Sequence, residues 1–208
     1  TADTAPKQMY GYQANIETRQ RPATGRLVDE NGRGPLVNDA AEAAYMTLKQ
    51  KDWNTMRVVA RGDSIEIYLH DVLAAKFEDE AYIKGCIALQ SFAFDQQDAT
   101  VVEYRNLRVK DYGRDGEWRA LFNGRDFDGW KKWGEEDWSV KDGVIDGHSG
   151  PKKSEGYLAT EEIFKDFRVR GGFKMLGNGN YGLFYHSTIA LRENDNYPVI
   201  SGLQGEVA

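Results

Sequence analysis

The side chains able to do chemistry in this 208-residue sequence fall into four groups. Gln204 and Glu206 sit two apart in a run that reads as a strand, so the period of 2 sets an amide and a carboxylate on one face. Such a carboxylate serves as a general base or as a rim group on the wet side of a sheet. His186 shares a strand face with Gly182 and Phe184, where an imidazole is a base, a ligand or a satisfied core residue. Between Glu17 and Gly34 runs a long loop with Arg19, Arg21, Arg26, Arg33, Glu17, Asp29 and Glu30, broken by Pro22, Gly25, Gly32 and Gly34. Long charged loops are often functional, and the alternative is a solvated loop with screened surface pairs. The last group is aromatic: Trp130 and Trp138 read as core, while Trp133 follows two lysines and is left open between core and exposed stacking platform. His148 opens an exposed loop with Lys152 and Lys153, and His70-Asp71 reads as a tight turn. Cys86 lies in an apolar run and reads as a small buried hydrophobe, and no His-x-His or cysteine-rich spacing signals a metal.

The elements that must position these groups are strands. Ser64 to Leu69 alternates strictly, followed by a two-residue turn and a returning run from Val72 to Phe77. Gly85 to Phe94 is nearly continuous in apolar character, as a central strand requires. Thr100 to Val109 and Asp166 to Met175 alternate, with Asn106 able to break the phase of the first. Only Ala40 to Lys49 has helix propensity over two turns, and at most a short helix is expected there. With 22 glycines, 12% aromatic and 40% hydrophobic residues, the composition is that of a globular chain with many turns. The expected fold is all-β, an antiparallel two-sheet β-sandwich with little helix. A formal charge of -6 with interspersed basic residues argues against nucleic acid, and no apolar run approaches a membrane span. No signal segment opens the chain, and an export signal already removed fits a periplasmic or secreted protein.

Several segments together resemble the 3-keto-disaccharide hydrolase family, whose members have a concanavalin A-like jelly-roll sandwich. They are Asn123 to Trp130, Trp138 to Ile145, Gly156 to Thr160, the strand at Asp166, and Gly179 to Phe184. Segments resembling the family's second half precede them: Gly11 to Gln13, Trp53 to Thr55, Ile65 to Leu69, Ile87 to Gln90 and Tyr104 to Arg108. The resemblance therefore implies that residues 9–110 are a C-terminal half, 111–117 a connector and 118–208 an N-terminal half. The halves are expected to complete one sandwich, within the chain or by exchange between copies. Gly11-Tyr-Gln-Ala-Asn-Ile16 and Gly202-Leu-Gln-Gly-Glu-Val207 match the same family position, nearly one domain length apart, which suggests a piece of a tandem array or a permuted arrangement.

The same resemblance implies a carbohydrate-active hydrolase or lyase acting on 3-keto-glycosides. A ketone at C3 acidifies the hydrogen on C2; a base removes it, a donor or cation stabilises the enolate, and the C1 substituent leaves. Glu206 and His186 are the catalytic candidates this implies, although relatives more often carry arginine at the position of His186. Gln13, Gln204, Arg26, Asp29, Arg33, Trp133 and His148 are the substrate-binding candidates. Asn15 takes the place of Glu206 in the first copy, which would leave that copy without a base. A divalent metal as Lewis acid is implied by resemblance alone, with ligands unknown. The competing classes are a carbohydrate-binding module without chemistry and an assembly module of sandwich repeats. Expected partners are an oligosaccharide or glycoside and a second copy or tandem neighbour.

Overall fold

The computed structural model describes residues 7–18, 23–93, 100–134, 136–149 and 156–191. In chain order the strands are β1 (Lys7–Glu17), β2 (Leu27–Glu30), β3 (Gly34–Pro35), β4 (Asn54–Arg61), β5 (Ser64–Leu69), β6 (Val72–Glu78), β7 (Cys86–Ala93) and β8 (Val101–Asp111). They continue as β9 (Trp118–Ala120), β10 (Trp130–Trp133), β11 (Asp137–Lys141), β12 (Val144–His148), β13 (Gly156–Thr160), β14 (Phe167–Met175) and β15 (Gly179–Leu191). The one described helix, α1 (Glu42–Tyr45), is a single turn, as short as the isolated alanine-rich run allows.

Two antiparallel sheets pack face to face. The seven-stranded sheet runs β10-β13-β7-β15-β1-β2-β3, and the eight-stranded one runs β11-β12-β8-β14-β4-β5-β6 with β9 on β8. Strands from before and after residues 111–117 alternate in both sheets: β14 pairs β4 with Phe167 opposite Ala60, and β15 lies between β7 and β1. Either set alone would leave long unpaired edges, so the two segments share one core.

Local chemistry explains most of this. Ile65, Ile67 and Leu69 point inward from β5, and His70 and Asp71 both take positive φ, 45° and 66°, as a two-residue hairpin turn with the right twist requires. On β8 the inward residues are Val102 and Tyr104, then Leu107 and Val109. The one-residue phase change falls at Asn106, whose φ of 54° makes the bulge. Trp130 and Trp138 join the core between the sheets, with Phe167, Val169, Phe173 and Met175 from β14 and Tyr12, Ala14 and Ile16 from β1.

Candidate functional site

On the outer face of the seven-stranded sheet, β1 presents a polar row. Tyr12, Ala14 and Ile16 enter the core, so alternation turns Gln13, Asn15 and Glu17 the other way. All three are buried, at 0%, 1% and 7% exposure, and Arg26 beside them is partly open. The neighbouring strand supplies Gly182, at whose position a Cβ would lie 2.2 Å from Nε2 of Gln13. The missing side chain lets Gln13 cross β15 and donate from Nε2 to Oε1 of Gln90 on β7 at 2.7 Å. Asn15 donates to Oε2 of Glu17 at 3.3 Å, and the Arg26 guanidinium stands 3.5 Å from the same oxygen. Three hydrogen-bonding atoms here are left over: Oε1 of Gln13, Oδ1 of Asn180 and Nε of Arg26 are buried with no partner among the described residues. Buried polar atoms are almost always satisfied, and two free acceptors and a free donor on one face are what a polyhydroxylated ligand satisfies.

His186 is placed elsewhere. Simple alternation would set it beside Phe184, but the register of β15 against β7 shifts between Phe184 and Ser187, and His186 takes a φ of 48°. The bulge turns its ring inward, 5.4 Å from the Phe167 ring of the opposite sheet and 6.2 Å from that of Tyr12. Its Nε2 is 2.6 Å from the Lys165 carbonyl, an acceptor only, so this nitrogen carries the proton. Burial pushes the imidazole pKa down against the opposing pull of that carbonyl, which keeps the ring neutral at pH 7. Tyr12 leads on to Tyr82, ring centroids 5.0 Å apart, and the Tyr82 hydroxyl donates to Asp29 Oδ1 at 2.9 Å. Asp29 holds Nε of Arg33 at 2.6 Å, and the other end of that guanidinium pairs with Asp79. Burial and the Asp29 hydrogen bond push the Tyr82 hydroxyl up to about 12. Burial works to raise the Asp79 pKa, but Arg33 and the Tyr12 hydroxyl hold it below the usual carboxylate value. His186, Asp29 and Arg33 thus belong to one connected cluster at the end of the interior. Gln13 and Arg26 lie across the sheet from it. Gly11 packs against the His186 carbonyl, and the six residues from there to Glu17 span about 20 Å of strand.

Trp133 is on the same outer face as Gln13 but at the other edge, opposite Tyr157 on β13, with Nζ of Lys131 4.3 Å above its ring. It lines a cleft of about 250 Å³ with Cys86, Ser187 and Ile189. Three strands separate β10 from β1, so Trp133 and Gln13 are about 20 Å apart. Cys86 is half-buried, hydrogen-bonds the Ser187 carbonyl at 3.1 Å, and burial pushes its thiol up to about 12, far from a reactive thiolate. His148 is exposed at the end of β12, in the other sheet. Gln204 and Glu206 lie outside the described residues.

Asn180 and Gln90 are not among the candidates that the sequence offers, and Glu17 is counted there only with the charged loop. Glu17 had a signal, since it is two positions beyond Asn15 on an alternating strand. Asn180 follows a glycine-bearing stretch, yet it already belongs to β15 and stands opposite Glu17. A divalent cation does not fit the described row, which offers one carboxylate with a guanidinium beside it. Among the described residues no cluster of three or more His, Cys, Asp or Glu side chains could hold a metal ion.

The fold that carries this buried amide and carboxylate row is a two-sheet antiparallel β-sandwich. The family comparison is specific: the model of the 3-keto-alpha-glucoside-1,2-lyase-like domain matches residues 2–110 and 117–208, and the chain belongs to that family. Comparison with curated proteins gives no match.

Proposed function

We propose that this protein cleaves 3-keto-glycosides at the polar row of the seven-stranded sheet, by removal of the C2 proton and loss of the C1 substituent. The observation that carries this reading is the set of unsatisfied atoms on one face, Oε1 of Gln13, Oδ1 of Asn180 and Nε of Arg26, in a member of this family. Gln13 and Asn180 accept from sugar hydroxyls. The C2–H bond breaks with the proton passing to Glu17, and its electrons move into the enolate of the C3 ketone. Nε of Arg26 donates to that oxygen, where charge develops in the transition state. As the ketone reforms, the C1–O bond breaks and the departing oxygen takes up a proton. Water adding at C1 afterwards would make the overall outcome hydrolysis. Arg26 pairs with Glu17 in the free protein, so substrate competes for the guanidinium and leaves the carboxylate free to accept the proton.

Incubation with a 3-keto-disaccharide, following release of the aglycone sugar, tests this. Glu17→Gln should lower turnover by about 10²- to 10⁴-fold, the range of a lost general base. Unchanged turnover in that variant together with a comparable loss in Glu206→Gln would move the base to Glu206 and reject the assignment to Glu17. Tight binding of the keto sugar with no product in the wild type would make the chain a binding module.

A further inference from the structure

The outer face of the eight-stranded sheet carries a second, independent groove, of about 650 Å³. Its floor is Gly171 and Gly172 on β14, and its walls include Trp53, Thr55, Arg105, Asn106, Arg108 and Arg170. Among the described residues no carboxylate lines it. Two bulges make it: Asn106 on β8 takes a positive φ, and the β14 register against β8 shifts between Arg170 and Gly172. As a result Arg105 and Asn106, neighbours in sequence, both reach the groove.

The charge arrangement is unfavourable as it stands. Arg108 and Arg170 are directly opposite on adjacent strands, and Arg57 is opposite Arg170 on the other side. Like charges placed so are destabilising. Arg57 is drawn off by Asp71, at 3.4 Å, and by the Tyr68 ring, 3.7 Å below its guanidinium. Among the described residues neither Arg108 nor Arg170 pairs with a carboxylate, and nor does Arg105. By contrast, Arg26, Arg33, Arg114 and Arg119 all do. The three groove arginines are instead held in place by tryptophans. Arg105 lies 3.8 Å over the Trp53 ring and Arg170 4.7 Å over that of Trp118, while Arg108 donates to the Trp118 carbonyl at 3.3 Å. A guanidinium whose face lies on an indole, as those of Arg105 and Arg170 do, still has N–H edges with which it can bind an oxyanion in paired hydrogen bonds.

We propose that this groove binds an acidic oligosaccharide, one whose sugar units carry carboxylates. Its volume suits a ligand larger than a single anion, and Thr55 and Asn106 offer neutral partners for hydroxyls beside the three cations.

Calorimetric titration at low ionic strength with tetragalacturonate, the neutral cellotetraose and inorganic phosphate tests the proposal. The acidic tetrasaccharide should bind at least tenfold more tightly than either of the others. Arg105→Ala with Arg170→Ala should weaken it at least tenfold, and Arg125→Ala, on an exposed loop outside the groove, should leave it unchanged. Equal affinity for cellotetraose, equal affinity for phosphate, no binding of tetragalacturonate, or an equal loss in Arg125→Ala would each overturn it. Thermal denaturation gives a second reading if the double variant folds poorly: tetragalacturonate should raise the wild-type midpoint, and single Arg170→Thr should abolish that rise while folding normally. A rise that survives in Arg170→Thr counts against the groove.

Discussion

The two outer faces of the sandwich use the same device for opposite ends. On the seven-stranded sheet Gly182 removes a side chain so that two glutamines meet across a strand. On the eight-stranded sheet Gly172 removes one so that Arg105 can lie on Trp53, a Cβ there standing 3.3 Å from Arg105 Cγ and 3.4 Å from the indole. The first gap is filled with neutral amides that are fully buried, and the second is bordered by guanidiniums in reach of water. Burial is the difference that matters: a neutral amide loses far less on leaving water than a charged group does, whereas unpaired cations keep to a surface where water offsets their charge.

Replacing the two glycines separates the faces most sharply. Gly182→Ala puts a methyl 2.2 to 2.7 Å from three atoms of a buried Gln13, so the Gln13 to Gln90 hydrogen bond must break, at about 1 to 3 kcal/mol by chemical denaturation. Gly172→Ala meets a flexible arginine stem at 3.3 Å and the Trp53 indole at 3.4 Å, nearly ordinary contact, and should change stability by about 0.5 kcal/mol or less. Equal losses at the two positions would erase the contrast between a closed and an open face.

His186 belongs to neither face, and its titration sharpens the boundary between them. Its folded pKa is lowered, chiefly by burial, so the unfolded chain binds the proton more readily. The stability this contributes is present above the unfolded imidazole value, near 6.5, and is lost as pH falls below it toward the lower folded value. His186→Gln keeps a donor for the Lys165 carbonyl, and its stability should fall less steeply below pH 6.5 than that of the wild type. Parallel pH profiles would place the ring in contact with water.

The smallest expected effect is a gain. Arg170→Thr removes the cation opposed by Arg108 and Arg57, and by relieving cross-strand repulsion it should raise stability by about 0.2 to 1 kcal/mol at low salt. High salt should shrink that gain.

What the sequence determined by itself is the period of its strands. Ile65, Ile67 and Leu69, the turn at His70 and Asp71, and the core places of Trp130 and Trp138 follow from alternation and turn chemistry, which act over a few residues. The family motifs followed as well, because they are local in sequence. Tertiary structure alone decided the sites. The bulge at His186 rotates an imidazole from the outer face to the interior, and no local pattern announces a bulge set by the register against a neighbouring strand. The meeting of Gln13 with Gln90 across Gly182, and of Arg108 with Arg170, joins residues far apart in the chain. Such pairings depend on which strand lies beside which, and that order is fixed by burying all the strands in one core.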